Sequence, residues 1–386
     1  MPVLSGNAAA AEALKLIDPD VVPAYPITPS TSIVEKFSQF VANGEVATEF
    51  LPVESEHAAM SACIGAAASG GRVFTATASQ GLALMHEVLF NASGMRLPII
   101  LINGNRALSA PLSIHGDHSD IMAQRDSGWI QVFAKDAQEV FDFLILITKL
   151  VEKQEIRLPA MIGMDGFWTT HTEQNLEILK KSEVQKFIGP KIREPNLLNT
   201  KNPISIGTAT KPDFFMEFKR AQLEGFLNVF KIWPKISKEF SKNFGRNYSA
   251  IETFNTKDAE TIFVLLGSTF GTAKIAAKNL RKKGKKVGII RPIFFRPFPQ
   301  KEFIEKIKNS SAQKIIIFER VSPSGSSASP LFLEIAATLF VENIKIFPFT
   351  FGLGGKEVLP EYFEKAFDIC GLGKSHESSK SNWLGI

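Results

Sequence analysis

The chain has 386 residues, 45% of them hydrophobic and 32 of them Phe, enough for two or three globular domains with sizeable cores. A net charge of +5 is small for that length, and the densest basic run, Lys278 to Lys286, closes a helix at Gly284, which argues against nucleic acid as a partner. Two cysteines, Cys63 and Cys370, form neither a disulfide framework nor the spacing of a zinc or iron–sulfur site, so any cluster belongs on another chain.

The opening residues, MPVLSGNAAAAEALKLI, lack the basic flank and apolar centre of a signal peptide, which predicts a cytoplasmic chain. Gly6 to Ile17 reads as a helix, Val21 to Tyr25 as a short buried strand, and Pro26 to Ser30 as a turn followed by a helix capped by Ser30 or Thr31. Val46 to Val53 alternates like a strand and closes in a turn. The run from Ala58 to Ala68 then predicts a helix starting at about Glu54 to Ser55. Next come strand Val73 to Ala78, turn Ser79-Gln80-Gly81, helix Leu82 to Ser93 and strand Pro98 to Asn103. A polar loop from Gly104 to Asp117, a helix to Gln124, strand Trp129 to Ala134, helix Asp136 to Lys153 and strand Pro159 to Met164 follow. The apolar run Phe141 to Val151 carries Asp142 and Lys149 and is too short to span a bilayer.

Such βα alternation predicts a mostly parallel sheet with helices on both faces, a doubly wound α/β domain over 1–170. Between 171 and 258 the pattern degrades into charged and Pro-containing segments with one amphipathic helix, about Asn228 to Asn243, and reads as a connector. From Thr261 the alternation resumes as a smaller α/β domain over 259–372, leaving 373–386 as a polar tail.

Five turns at the carboxyl ends of first-domain strands carry polar chemistry: Tyr25 to Thr31, Glu54 to His57, Ser79 to Gly81, Asn103 to Arg106 and Ser113 to Asp120. Open α/β sheets place ligands at that end. Glu54 and Glu56 both suit a helix start through the dipole. Glu56 is singled out by its place at a strand end before a helix of Ala, Gly, Ser and Cys, whose small side chains admit another surface. Thr28, between two prolines, either satisfies its own turn or faces a ligand. Arg106 either pairs at the surface or, held in a loop of Asn, Gly and Ser, recognises a small carboxylate through its planar fork. His115 and His118 lack a third ligand, which favours loop architecture or an interface over a metal. Gly267 to Gly271 (GSTFG) is half a dinucleotide fingerprint and fits close strand–helix packing better, and no Walker A pattern exists.

The segments YPITPST, VESEHAAMSACIGAAA, TASQGLALMHE, LPIILINGNRALSAP, IHGDHSD, QRDSGWIQ and MDGFWTTH closely resemble the α chain of pyruvate:ferredoxin oxidoreductases, and RPFP with FGLGGKE resembles its second domain. The resemblance runs from Gly6 to about Pro360. It implies a first domain similar to the pyrimidine-binding domain of thiamine-diphosphate enzymes and a second similar to the carboxyl-terminal domain of transketolase. It further implies that Glu56 hydrogen-bonds the cofactor's aminopyrimidine nitrogen, favouring the imino tautomer. Thr28 and Arg106 would hold pyruvate's polar end, with Tyr25, Pro26, Ser79 and Gln80 against the cofactor.

In that family the diphosphate and Mg2+ are held through a GDG motif with paired asparagines downstream. Met164-Asp165-Gly166 here has no such pair, which implies a half-site. A β subunit would supply diphosphate, Mg2+ and the proximal 4Fe-4S cluster, and γ and δ subunits would complete the complex. Pyruvate, coenzyme A and oxidised ferredoxin would give acetyl-CoA, CO2 and reduced ferredoxin. The alternative substrates are 2-oxoisovalerate and 2-oxoglutarate, while a non-catalytic assembly subunit would tolerate change at Glu56 and Arg106.

Overall fold

Seven strands form the first sheet of the computed structural model, which describes residues 1–371 and 382–386. In spatial order they are Phe294–Arg296, Ile130–Ala134, Ala160–Asp165, Ile99–Asn105, Val73–Thr77, Val21–Ala24 and Glu49–Pro52. Neighbours are parallel except the first pair. The central strands Val73–Thr77 and Ile99–Asn105 are buried throughout, because a parallel strand with helices on both faces has no wet side. Alternate residues serve opposite faces. Phe74, Ala76, Ile100 and Ile102 enter one core, and Val73, Ile99 and Leu101 the other. On the first face the Ala-rich helix Gly6–Ile17 lies against Ala137–Val151, which is buried at nearly every position.

The second sheet runs Asn382–Trp383, Lys345–Thr350, Lys314–Glu319, Thr261–Val264, Val287–Pro292 and Ile251–Phe254, antiparallel only at its last pair. One core joins the two sheets: Met60, Leu82 and Trp129 share it with Ile262, Ile315 and Leu331. A buried ion-pair cluster crosses the same boundary, where Arg291, fully enclosed, reaches Glu139 and Glu252, each at 2.6 Å. Among the described residues no helix is long and apolar enough to cross a membrane.

Several elements differ from those the sequence predicts. Ser79-Gln80-Gly81 is the first turn of a helix, Ser79–Leu84, and His86–Gly94 is a separate helix. The helix expected near Asn228 to Asn243 is the second half of Pro212–Phe244, which begins with Pro at its first position. The stretch expected as a connector to 258 contributes the strand Ile251–Phe254 to the second sheet. Phe294–Arg296 crosses to the edge of the first sheet because Phe294 finds cover there, 4.8 Å from the Trp233 ring. Of the expected tail, Asn382–Trp383 pairs with the second sheet, and 372–381 lie outside the described residues.

Candidate active site

Ser55 caps the helix Glu56–Ala68, its hydroxyl accepting the Ala58 N–H at 3.1 Å, so the helix does not need Glu56 as a cap. Glu54 points into solvent, whereas Glu56 is only 7% exposed. Among the described residues the Glu56 carboxylate has no hydrogen-bond or ion-pair partner. It rests against Gly81: a Cβ there would lie 2.6 Å from Glu56 Oε1 and 2.5 Å from Thr77 Oγ1, so only glycine leaves this space open. The Thr77 hydroxyl is also buried without a partner. Buried polar groups are normally satisfied, because leaving one bare costs about 1–3 kcal/mol, and more for a charge. A carboxylate and a hydroxyl left bare together form a place for a ligand edge that both donates and accepts.

Arg106 leaves the carboxyl end of Ile99–Asn105 and is 7% exposed. Its Nε donates to the Ser113 carbonyl and its Nη1 to the Thr28 carbonyl, each at 2.9 Å, while Nη2 has no partner among the described residues. Burial draws its pKa down, and the nearby charge of Asp120 opposes the shift. The turn carrying Thr28 is fixed by other groups: Asn7 Nδ2 donates to the Pro29 carbonyl at 2.7 Å, and the Ser30 hydroxyl donates to the Ile27 carbonyl at 2.8 Å. The Thr28 side chain takes no part in these bonds, and Thr28, Tyr25 and Pro26 are exposed on the rim.

Ser79 is buried in the left-handed region, with φ at +48°. Its Oγ lies 2.6 Å from the Ala107 carbonyl and 2.5 Å from Gln80 Oε1. Asp120, almost fully buried, ties these parts together. Its Oδ2 accepts from Ser79 N and Asn103 Nδ2 at 2.9 Å and from Arg106 N at 3.0 Å, and its Oδ1 from Ile121 N at 2.7 Å. Burial pushes its pKa up to about 6, against the pull of those bonds. The structure therefore brings Glu56, Ser79 and Gln80 to one side of Asp120 and Arg106 with Thr28 to the other.

Asp165, the last residue of strand Ala160–Asp165, serves the domain boundary. It lies 2.6 Å from His118 Nε2, accepts from Ser268 N at 2.9 Å and lies 3.4 Å from Arg320 Nη1. Burial would raise its pKa, yet His118 and Arg320 hold it well below the usual carboxylate range. Arg320 Nη2 also donates to the Gly116 carbonyl at 2.6 Å, and Gly355 N reaches the same oxygen at 2.8 Å. His118 is thus an interdomain residue, and His115 packs on the Phe167 ring, centroids 4.9 Å apart. In GSTFG only Gly267 is closely approached, by Asp165, while a Cβ at Gly271 would meet nothing within 4 Å. Among the described residues no three His, Cys, Asp or Glu side chains gather as a metal site.

Thr77 lies outside the strand-end turns that the sequence marks, and Gly81 and Asp120 lie inside two of them with nothing local to single them out. The pair Asn103 and Asn105 held a usable signal, since polar residues two apart in an apolar central strand lie on one buried face, and their side chains do bond each other, Asn103 Nδ2 to Asn105 Oδ1, at 2.9 Å.

Residues 12–238 match the family described as "Pyruvate flavodoxin/ferredoxin oxidoreductase, thiamine diP-bdg", and residues 259–363 match "Pyruvate:ferredoxin oxidoreductase core domain II". Pyruvate synthase subunit PorA of Thermotoga maritima is 45% identical over 385 residues, 99% of this chain and 97% of that one. The subunit of that name from Methanocaldococcus jannaschii is 45% identical over 388 residues, 100% of this chain and 97% of its own. Ketoisovalerate oxidoreductase subunit VorA of Pyrococcus horikoshii is 41% identical over 358 residues, 92% of this chain and 90% of that one. Among solved structures, a 2-oxoglutarate:ferredoxin oxidoreductase from Magnetococcus marinus superposes with a TM-score of 0.74 at 20% identity, covering 95% of this chain. The present chain spans 64% of that structure's chain. A split-gene transketolase superposes with a TM-score of 0.55 at 15% identity, covering 98% of this chain and 100% of the other, so the shared feature is the α/β fold.

Proposed function

Because the chain belongs to the pyruvate flavodoxin/ferredoxin oxidoreductase family, we infer that it works as the α subunit of a pyruvate synthase, with Glu56, Arg106 and Thr28 as its half of the active site. It is an oxidoreductase subunit: within the assembled enzyme, pyruvate and coenzyme A give acetyl-CoA and CO2, and electrons pass to ferredoxin. The observation that carries the site reading is the Glu56 carboxylate, without a partner among the described residues and set beside the buried, unpartnered Thr77 hydroxyl in a space that Gly81 keeps open. An aminopyrimidine edge, which offers donors and acceptors side by side, fits that pair.

Thiamine diphosphate, when bound, supplies the electron sink for loss of CO2 from a 2-oxoacid. Glu56 would accept a hydrogen bond from the ring nitrogen and so hold a proton at its carboxylate oxygen, in surroundings where low exposure strengthens the interaction. Ser79 and Gln80 line the same wall, and Tyr25 and Pro26 form its rim. Arg106 presents its free Nη2 edge to the substrate carboxylate while two backbone carbonyls keep the fork from turning, and Thr28 adds a hydroxyl from the facing turn.

A β subunit completes the site with the diphosphate-binding groups, Mg2+ and the proximal 4Fe-4S cluster, a δ subunit with ferredoxin-type clusters carries electrons onward, and a γ subunit completes the complex in the cytoplasm. What supports this is a fringe of exposed apolar side chains around the strand ends, Leu84 at 52%, Leu112 at 74%, Ile114 at 44% and Trp168 at 44%, of the kind a partner covers. Asp165, the residue nearest in sequence to a diphosphate motif, is occupied by His118, Ser268 and Arg320.

Isothermal titration of the isolated chain with thiamine diphosphate and Mg2+ tests the half-site, and tight stoichiometric binding would overturn it. The likeness to a ketoisovalerate oxidoreductase subunit makes 2-oxoisovalerate the second substrate reading. Purifying the native complex, identifying its chains and comparing its rates with pyruvate and 2-oxoisovalerate decides between them.

A further inference from the structure

We propose that Asp120 is a positioning residue whose Oδ2 sets the cofactor-facing and the substrate-facing halves of the site in one register, an inference that rests on the roles given above to Glu56 and Arg106. Three N–H groups from two strand ends converge on that one oxygen: Ser79 N and Asn103 Nδ2 at 2.9 Å and Arg106 N at 3.0 Å. Two of them are backbone groups that leave neighbouring strands, Val73–Thr77 and Ile99–Asn105, where each strand gives way to a functional loop or helix.

On the cofactor side, Ser79 stands at φ +48°, a conformation a residue with a Cβ holds only when its surroundings fix it. The Asp120 bond to its N–H and the contact of its Oγ with the Ala107 carbonyl supply that hold. Ser79 also opens the helix that carries Gly81, and Gly81 lies directly against Glu56. A shift at Ser79 is therefore a shift of the wall beside the Glu56 carboxylate.

On the substrate side, Asp120 grips the Arg106 main chain, and the loop leading into its own helix supplies Ser113, whose carbonyl takes the Arg106 Nε. One loop-and-helix unit thus fixes both ends of the arginine. Its single buried carboxylate joins that arginine to the Glu56 wall.

The test uses the assembled complex, with two readouts: affinity of the cofactor-depleted complex for thiamine diphosphate by titration, and the KM for pyruvate in dye reduction. Asp120→Ala should weaken both by about tenfold, because it releases both loops at once. Asp120→Asn keeps a carbonyl oxygen where Oδ2 stands and should return both readouts to within about threefold of the parent chain. If the alanine chain does not enter the complex, Asp120→Ser, too short to reach all three N–H groups, takes its place with the same expectation. An effect on only one readout, no effect on either, or an asparagine variant as impaired as the alanine one would overturn the proposal. Glu56→Gln and Arg106→Lys run alongside. If they change turnover and KM while the Asp120 variants change nothing, the positioning inference alone fails. If they change nothing, the site reading beneath it fails.

Discussion

At the carboxyl end of the first sheet, Glu56 opens a helix with its carboxylate unpartnered among the described residues, whereas at the carboxyl end of the second, Glu319 is buried with both oxygens occupied. Glu319 accepts from the Ser329 hydroxyl, from Leu331 N at 2.7 Å and from Phe332 N at 3.0 Å, at the start of helix Pro330–Thr338. The two strand-end arginines differ in the same way. Arg106 keeps one edge of its fork open, while Arg320 is engaged with Asp165 and with the carbonyls of Gly116 and Gly352. One architecture thus serves two ends: where the chain saturates its own buried polar groups the strand end is a structural joint, and where it leaves them bare the strand end faces something outside the chain.

The contrast breaks most easily at Glu56. Glu56→Gln preserves volume and leaves the Ser55 cap in place, so the subunit should fold and assemble, yet turnover should fall at least roughly ten- to hundredfold, the worth of one hydrogen bond to a charged acceptor. Glu54→Gln is the control, since dipole complementation alone would give both variants small effects on stability and none on rate. Viologen-dye reduction with pyruvate separates the two. Equal, near-parental rates would return Glu56 to the role of a helix-start acid.

Gly81→Ala attacks the same wall from the other side. Its Cβ would meet Glu56 Oε1 at 2.6 Å and Thr77 Oγ1 at 2.5 Å, so one of them must move. Overpacking of that kind costs about 1–3 kcal/mol, and most of it should appear as about tenfold weaker thiamine diphosphate binding with little change in melting temperature of the complex. A parental affinity would mean the carboxylate is not held where the cofactor needs it. Arg106→Lys is milder. The ammonium keeps the charge but cannot satisfy two carbonyls and a carboxylate in one plane, so the KM for pyruvate should rise about tenfold with a smaller change in kcat. An unchanged KM would remove Arg106 from substrate binding.

The architecture beneath this contrast was legible in sequence, because periodicity and strand-end position both survive without coordinates. The doubly wound order, the helix behind Glu56 and the polar turns at Tyr25 to Thr31 and Asn103 to Arg106 follow from alternation and from runs of small residues. What the sequence hides is which polar groups are satisfied. Glu56 begins a helix and Glu319 ends a strand, yet neither position tells which carboxylate is satisfied, and their difference lies in whether Ser329 and two backbone N–H groups or only Gly81 stand opposite. The same holds for Asp165, whose partners are 47 and 103 residues away along the chain. It holds also for Phe294–Arg296, whose strand-like pattern cannot say which of two sheets it will extend.

The saturated end yields an effect on stability and none expected on rate, and its sign is clear. Burial raises the Glu319 pKa to about 7, from an ordinary value of 4.5, even though its three hydrogen bonds and His118 pull the other way. Between those two values the folded chain holds a proton that the unfolded chain has released, so this group's contribution to stability is present at low pH and is lost as pH rises from 4.5 to about 7. Full loss corresponds to about 3 kcal/mol, an upper figure for one buried carboxyl. Glu319→Gln cannot titrate, and its amide brings N–H groups toward donors that the carboxylate accepted, so it should be less stable than the parent at pH 5. With rising pH the gap between the two melting curves should narrow, because only the parent pays the growing cost of a buried charge. Thermal melts of the complex at intervals from pH 5 to 8, read as the difference between variant and parent, isolate this residue from the other buried acids. A difference that stays constant across that range would mean Glu319 is already ionised at pH 5, and that the second strand end is an anion site stabilised by its helix rather than a carboxyl held neutral by burial.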